Sequence, residues 1–74
     1  MTNWDDIRYF LSVARCGNLS TAARELGVNH STVSRRIQAL EERHGVRLFE
    51  RLPSGYEMNV AASSIYELAL ELEA

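Results

Sequence analysis

Between His30 and Gln38 the chain gathers an imidazole, three hydroxyls, two guanidiniums and an amide, on His30, Ser31, Thr32, Ser34, Arg35, Arg36 and Gln38. No acid interrupts them, and Glu42 comes only further along. These groups suit the edges of stacked bases. Arginine grips guanine through O6 and N7, glutamine grips adenine, and hydroxyls serve bases or phosphates. To act together they must share one face of a rigid rod. Drawn as a helix at 100° per residue, Val33, Ile37 and Leu40 fall within about 60° of one another. Ser31, Arg35 and Gln38 lie roughly opposite, with Ser34 to one side and Thr32 and Arg36 to the other. The N-terminus of such a helix offers unpaired N–H groups to phosphate, and His30 sits there, placed to donate to a base edge. Any solvated helix face can carry Ser, Arg and Gln, so the surrounding elements decide what the face is for.

Apolar spacing and glycine mark those elements. The spacing of Trp4, Ile7, Leu11 and Ala14, with Phe10 beside them, predicts a helix from about Trp4 to Cys16. Asn3 is placed to cap it, Asp5 and Asp6 suit its positive end, and Gly17 ends it. A short second helix is expected from Ser20, as its cap, to Leu26, with Ala22, Ala23 and Leu26 as its apolar face. Gly27 supplies the turn to a third helix, capped by Asn29 and running from His30 to His44. Val46 to Arg51 is rich in strand formers, Pro53-Ser54-Gly55 reads as a turn, and Tyr56 to Met58 as a return strand. Asn59 can cap a fourth helix, with Ile65, Leu68, Ala69 and Leu72 on one face. The expected fold is mainly α: a winged helix-turn-helix of three helices and a two-stranded wing over residues 1–58, then a long linker or dimerisation helix over 59–74.

The bulk numbers agree with one small folded domain. The chain has 74 residues, 46% of them apolar and 24% charged, enough apolar surface to offset the entropy of ordering. Cys16 is the single cysteine, so no internal disulfide is possible, and no Cys/His cluster has zinc-ligand spacing. No apolar run is long enough for a bilayer, and the opening MTNWDDIRYF lacks the order of a signal peptide. A cytoplasmic protein without metal or cofactor is expected. The net charge of −2 argues against a nucleic-acid partner until its distribution is considered. All eight basic residues are arginine, and residues 1–59 hold all of them against seven acids, one positive charge. The last helix carries Glu67, Glu71 and Glu73 and no base, and the position of charge matters more than its sum.

The stretches carrying these features resemble the amino-terminal domain of LysR-type transcriptional regulators. Asn18 to Val28 is similar to the first half of that family's helix-turn-helix, and Ser31 to Glu41 to its recognition helix. Gly45-Val46-Arg47-Leu48-Phe49-Glu50-Arg51 matches the family's G-x-x-L-F-x-R run, and Ile7 to Ala14 fits its opening. The resemblance implies a transcription regulator that binds double-stranded DNA at an interrupted inverted repeat, as a homodimer or a dimer of dimers. It places His30, Ser31, Thr32, Ser34 and Arg35 against DNA, Ser20 and Thr21 against phosphate, and Arg51 as the anchor of the wing. Gln38 joins them from its place on the helix wheel. The last helix is implied to pair with its mate in another protomer. An effector-binding domain normally follows in the family, so the chain reads as an isolated DNA-binding part. Some positions depart from the pattern. Asn29 and His30 stand where Ser and Gln are common, the wing tip Leu52-Pro53-Ser54-Gly55 has no base, and Asn59 replaces a Thr.

Other residues have plainer roles. Cys16 reads as a helix-end filler beside Gly17, Trp4 and Phe10 as core, and His44 as packing or capping the helix end. Arg36 and Arg43 are expected to be solvated or paired with nearby glutamates. A winged-helix protein–protein module is the competing reading, for which the acidic, leucine-bearing last helix is equally suited. No nucleophile, base and orienting group recur at a spacing that would make an enzyme.

Overall fold

A computed structural model describes the backbone of residues 4–73 and the side chains of residues 4–71. The elements are α1 Trp4–Cys16, α2 Leu19–Leu26, α3 His30–His44, β1 Phe49–Leu52, β2 Gly55–Met58 and α4 Val60–Glu73. This is the mainly α, winged helix-turn-helix order expected. Asn3 as a cap and the Leu72 side chain lie outside the described residues.

α1 runs through the middle, against α2, α3 and α4. Its Phe10, Leu11 and Val13 are fully buried, with Tyr9 beside them. Trp4, expected in the core, is instead 48% exposed. The inward position of the first turn belongs to Asp6, only 3% exposed, which meets arginines of α3.

α2 begins one residue earlier than expected, because Asn18 and not Ser20 is its cap. Asn18 is extended at φ −158°, and its Oδ1 accepts from the Thr21 amide at 2.7 Å, satisfying a donor the helix leaves open. Ser20 is left exposed in the first turn. Gly27 closes the helix at φ 74°, in the left-handed region a side chain disfavours. The chain then turns into α3 through Val28, whose amide bonds the Ala23 carbonyl at 3.0 Å. α3 has the expected bounds and buries Val33, Ile37 and Leu40.

The wing is shorter than expected at its start. β1 begins at Phe49, not Val46, because the groups before it are already engaged. The Val46 amide donates to the Glu41 carbonyl at 3.1 Å and the Leu48 amide to the Glu41 carboxylate at 2.8 Å. The Leu48 carbonyl accepts from the Asn59 amide at 3.1 Å. β1 pairs antiparallel with β2, from Phe49 opposite Met58 to Leu52 opposite Gly55, with Pro53 and Ser54 as the turn. Gly55, expected in the turn, opens β2.

Asn59 caps α4 as expected, accepting from the Ala62 amide at 2.9 Å. Its Nδ2 also donates to the Arg47 carbonyl, tying the helix start to the wing. α4 packs through Ala62 and Ala69, both buried, and through Tyr66, whose ring stands 6.4 Å from that of Phe10. Phe10 in turn lies 5.5 Å from Phe49, and Phe49 5.8 Å from Tyr56. One aromatic chain therefore joins α4, α1 and the wing.

Candidate nucleic-acid interface

The outward face of α3 carries the residues singled out by the sequence. His30, Ser31, Arg35 and Gln38 are exposed, and Thr32 and Ser34 half-exposed, while Val33, Ile37 and Leu40 hold the opposite face in the core. Ser20 and Thr21 are exposed at the start of α2. Asn29 organises the tip of α3. Its Oδ1 accepts from the Thr32 amide and hydroxyl, both at 2.9 Å, and from the Ser31 hydroxyl at 2.7 Å. Each hydroxyl has one proton to give. With both protons held by Asn29, Ser31 and Thr32 present lone pairs outward, as acceptors.

Arginine partners divide the basic residues. Arg8 pairs with Asp5 at 3.4 Å, and Arg15 with Glu25. Arg36 and Arg43, expected to be solvated or paired with glutamates, both reach Asp6 instead, at 3.6 and 2.6 Å. A glutamate one helical turn away would have been exposed and screened, whereas Asp6 is buried on α1 between them. Arg36 also lies over the Tyr9 ring, 5.1 Å from its centroid. Among the described residues Arg24, Arg35 and Arg47 make no ion pair, so their full donor sets face solvent. Arg47 was not singled out by sequence reasoning. Its only signal was its place just past the end of α3, near the wing.

Arg51 is tied into the protein. Its Nη2 donates to Glu41 at 2.9 Å, its Nη1 to the Phe49 carbonyl at 3.3 Å, and its guanidinium covers the Tyr56 ring at 5.1 Å. The other Glu41 oxygen receives the Leu48 and Phe49 amides at 2.8 and 3.2 Å. Burial alone would raise the Glu41 carboxyl. The bonds from Leu48, Arg51 and Phe49 outweigh it and hold the group below its ordinary range. Glu41 thus fastens β1 to α3. Between α3 and the wing opens a cleft of about 530 Å³ lined by Ser34, Gln38, Glu42, Arg47 and Arg51, among others. Arg51 reaches this cleft with one side of its guanidinium committed.

The remaining candidates have quieter roles. The Cys16 thiol donates to Glu25 at 3.3 Å; burial and the neighbouring carboxylate push its pKa up, away from reactivity. His44 is exposed in the last turn of α3 and borders an apolar groove with Ile7, Val46 and Ile65. On α4, Ile65 is 41% and Leu68 63% exposed. Ala69, expected beside them on a partner-facing side, is 4% exposed and packed inward. It lies one helical step of 100° from Leu68, enough to turn it from solvent to the core.

A three-residue turn between two helices, an exposed polar face on the second and an adjoining two-stranded wing define a winged helix-turn-helix protein. Residues 4–63 match the family model described as bacterial regulatory helix-turn-helix protein, lysR family, and the chain belongs to that family. It is 44% identical over 66 residues to the HTH-type transcriptional regulator ClcR of Pseudomonas putida, covering 89% of this chain and 22% of that protein. It is 40% identical over 66 residues to the HTH-type transcriptional regulator BudR of Klebsiella aerogenes, covering 89% of this chain and 46% of that one. The chain thus spans less than half the length of either relative. The crystal structure of a CbnR_DBD–DNA complex superposes with a TM-score of 0.92 at 35% identity, over 97% of this chain and 83% of that one. That of a BenM_DBD/benA site 1 DNA complex also superposes at 0.92, with 29% identity, over 97% and 81%.

Proposed function

We propose that this chain binds double-stranded DNA sequence-specifically and serves as the DNA-binding part of a transcription regulator. α3 enters the major groove, and the wing approaches the neighbouring minor groove. The observation that carries this reading is Arg35. Among the described residues it has no ion-pair partner, and it stands at the centre of a solvent-facing Ser, Thr and Gln face that bears no acid over its first two turns. Arginine is the side chain best matched to guanine, and a helix of this kind fits the major groove. The likeness to winged domains solved with DNA supports the same reading. His30, Ser31, Thr32, Ser34, Arg35 and Gln38 face the bases, Ser20 and Thr21 meet phosphate, and Arg51 steadies the wing. An interrupted inverted repeat is the target, and the reducing cytoplasm is the compartment.

The homodimer forms through α4, the linker or dimerisation helix, by way of Ile65 and Leu68. Both are large apolar side chains left open to solvent, 60° apart around the helix axis by their spacing of three residues. Leu72 belongs to the same set by its spacing. This apolar surface equally favours a protein–protein module as the second reading. Binding of Arg35→Ala to a duplex enriched by the wild-type chain separates the two. A loss of on the order of 1–3 kcal/mol is expected if Arg35 reads a base edge. Unchanged affinity removes Arg35 from the readers and turns the balance toward the protein-binding alternative.

A further inference from the structure

We infer that Asp6 is a positioning residue for recognition, setting the rotation of α3 about its own axis and so the edge that α3 presents to a ligand. The inference rests on the DNA-binding reading above. Arg36 and Arg43 are seven residues apart, two turns, so they stand on one side of α3, about 10.5 Å apart along its axis. A single carboxylate on α1 reaches both, Oδ1 to Arg36 at 3.6 Å and Oδ2 to Arg43 at 2.6 Å. Asp6 is 3% exposed, whereas the two arginine side chains are 42% and 40% exposed. Tyr9, one turn after Asp6 on α1, supports the Arg36 guanidinium from its ring face at 5.1 Å.

The apolar contacts of Val33, Ile37 and Leu40 hold α3 on the core, but such contacts have no direction and leave rotation loosely specified. A carboxylate hydrogen-bonded to the Arg43 guanidinium and ion-paired with that of Arg36, two turns away, does have direction. Fixing register is the best-attested use of buried ion pairs, more so than adding stability. Rotation matters because Arg35 is the neighbour of Arg36, 100° away around the axis of α3. Turning α3 by about 20° moves atoms at a side-chain radius of about 5 Å by roughly 2 Å. That displacement exceeds the few tenths of an ångström that hydrogen bonds to a base edge tolerate. Attraction to phosphate is far less particular about angle. The position of Asp6 therefore separates two quantities. Its loss should impair discrimination between sequences while leaving general attraction to DNA intact, or raising it through the removal of one negative charge.

The test titrates wild type, Asp6→Asn and Asp6→Leu with two duplexes of equal length, one enriched by the wild type from random sequence and one scrambled. The quantity read is the ratio of the two dissociation constants, in which any fraction of unfolded protein cancels. A fall in this ratio of fivefold or more is expected, with unchanged or tighter binding to the scrambled duplex. Asp6→Leu covers the case in which the Asn amide oxygen still accepts from Arg43. Ratios within twofold of wild type for both variants overturn the inference. So does circular dichroism showing that neither variant folds, since Asp6 would then be a stability element. If the wild type itself does not distinguish the duplexes, the DNA-binding reading fails first and this inference falls with it, an outcome separate from equal ratios.

Discussion

Asn29 shows how one side chain can serve both stability and recognition. It caps α3 and also holds the hydroxyl protons of Ser31 and Thr32. Removing it in Asn29→Ala should cost about 1 kcal/mol, a drop of roughly 4–8 °C in Tm for a domain this small, read by thermal melting. Asn29→Asp should keep the cap, since a carboxylate suits a helix N-terminus. The added charge beside the proposed phosphate path should nevertheless weaken DNA binding. Equal losses of stability in both variants would contradict this division of roles. Glu41 is the second such residue. Its carboxyl is held low in the folded chain, so its stabilising contribution is complete above the ordinary carboxylate range and is lost as the pH falls through the depressed folded value. Acid denaturation should therefore steepen as the pH drops below about 4, near the ordinary glutamate value. In Glu41→Gln that dependence should be shallower and stability at neutral pH lower. Parallel curves for the two proteins would remove Glu41 from the account. The cap at Asn29 was legible because Asn just before an apolar-periodic run is a strong local signal. Asp6, Glu41 and the stacking of Arg36 on Tyr9 were not, because their partners are distant in sequence or on another element.

At the scale of elements, the wing depends on a close approach of backbone. Gly55 has φ 142°, and a Cβ there would stand 2.2 Å from the Gly17 carbonyl oxygen. The next amide, Tyr56 N, donates to that same oxygen at 2.8 Å. Gly55→Ala must therefore push the wing away from the α1–α2 turn and weaken that bond. The expected loss is about 1–3 kcal/mol, measured by urea denaturation, and unaltered stability would show that the wing accommodates the methyl group. For α4, Leu68→Glu should abolish self-association without unfolding the monomer, because Leu68 is 63% exposed. Sedimentation showing an unchanged dimer would refute the assignment of that face. The helices were legible because apolar spacing and terminal glycines report directly on helical geometry, and α1 and α3 have the expected bounds. The second helix begins early because Asn18 and Ser20 are both capable caps two residues apart, and residue type alone does not choose between them. β1 was overestimated because strand-forming residues at 46–48 spend their backbone groups on Glu41 and Asn59. Ala69 was misplaced because a helix with apolar residues around much of its circumference does not reveal which stripe its own core takes.

For the molecule as a whole, the sum of charge is a poor guide and its pairing a better one. Of eight arginines, Arg24, Arg35 and Arg47 are the ones without an ion-pair partner among the described residues. If Arg24 and Arg47 each met one phosphate while Arg35 read a base, log K would fall with log salt at a slope of about −2 per protomer. Arg47→Ala should reduce that slope by about one and leave the preferred sequence unchanged. A changed preference would make Arg47 a base reader instead. The most direct test of the central claim is selection from random duplex DNA by the purified chain, at low and at moderate salt. An enriched inverted repeat that persists at moderate salt is the expected result. No enrichment, with binding absent or lost steeply as salt rises, would contradict sequence-specific recognition and leave at most attraction to phosphate.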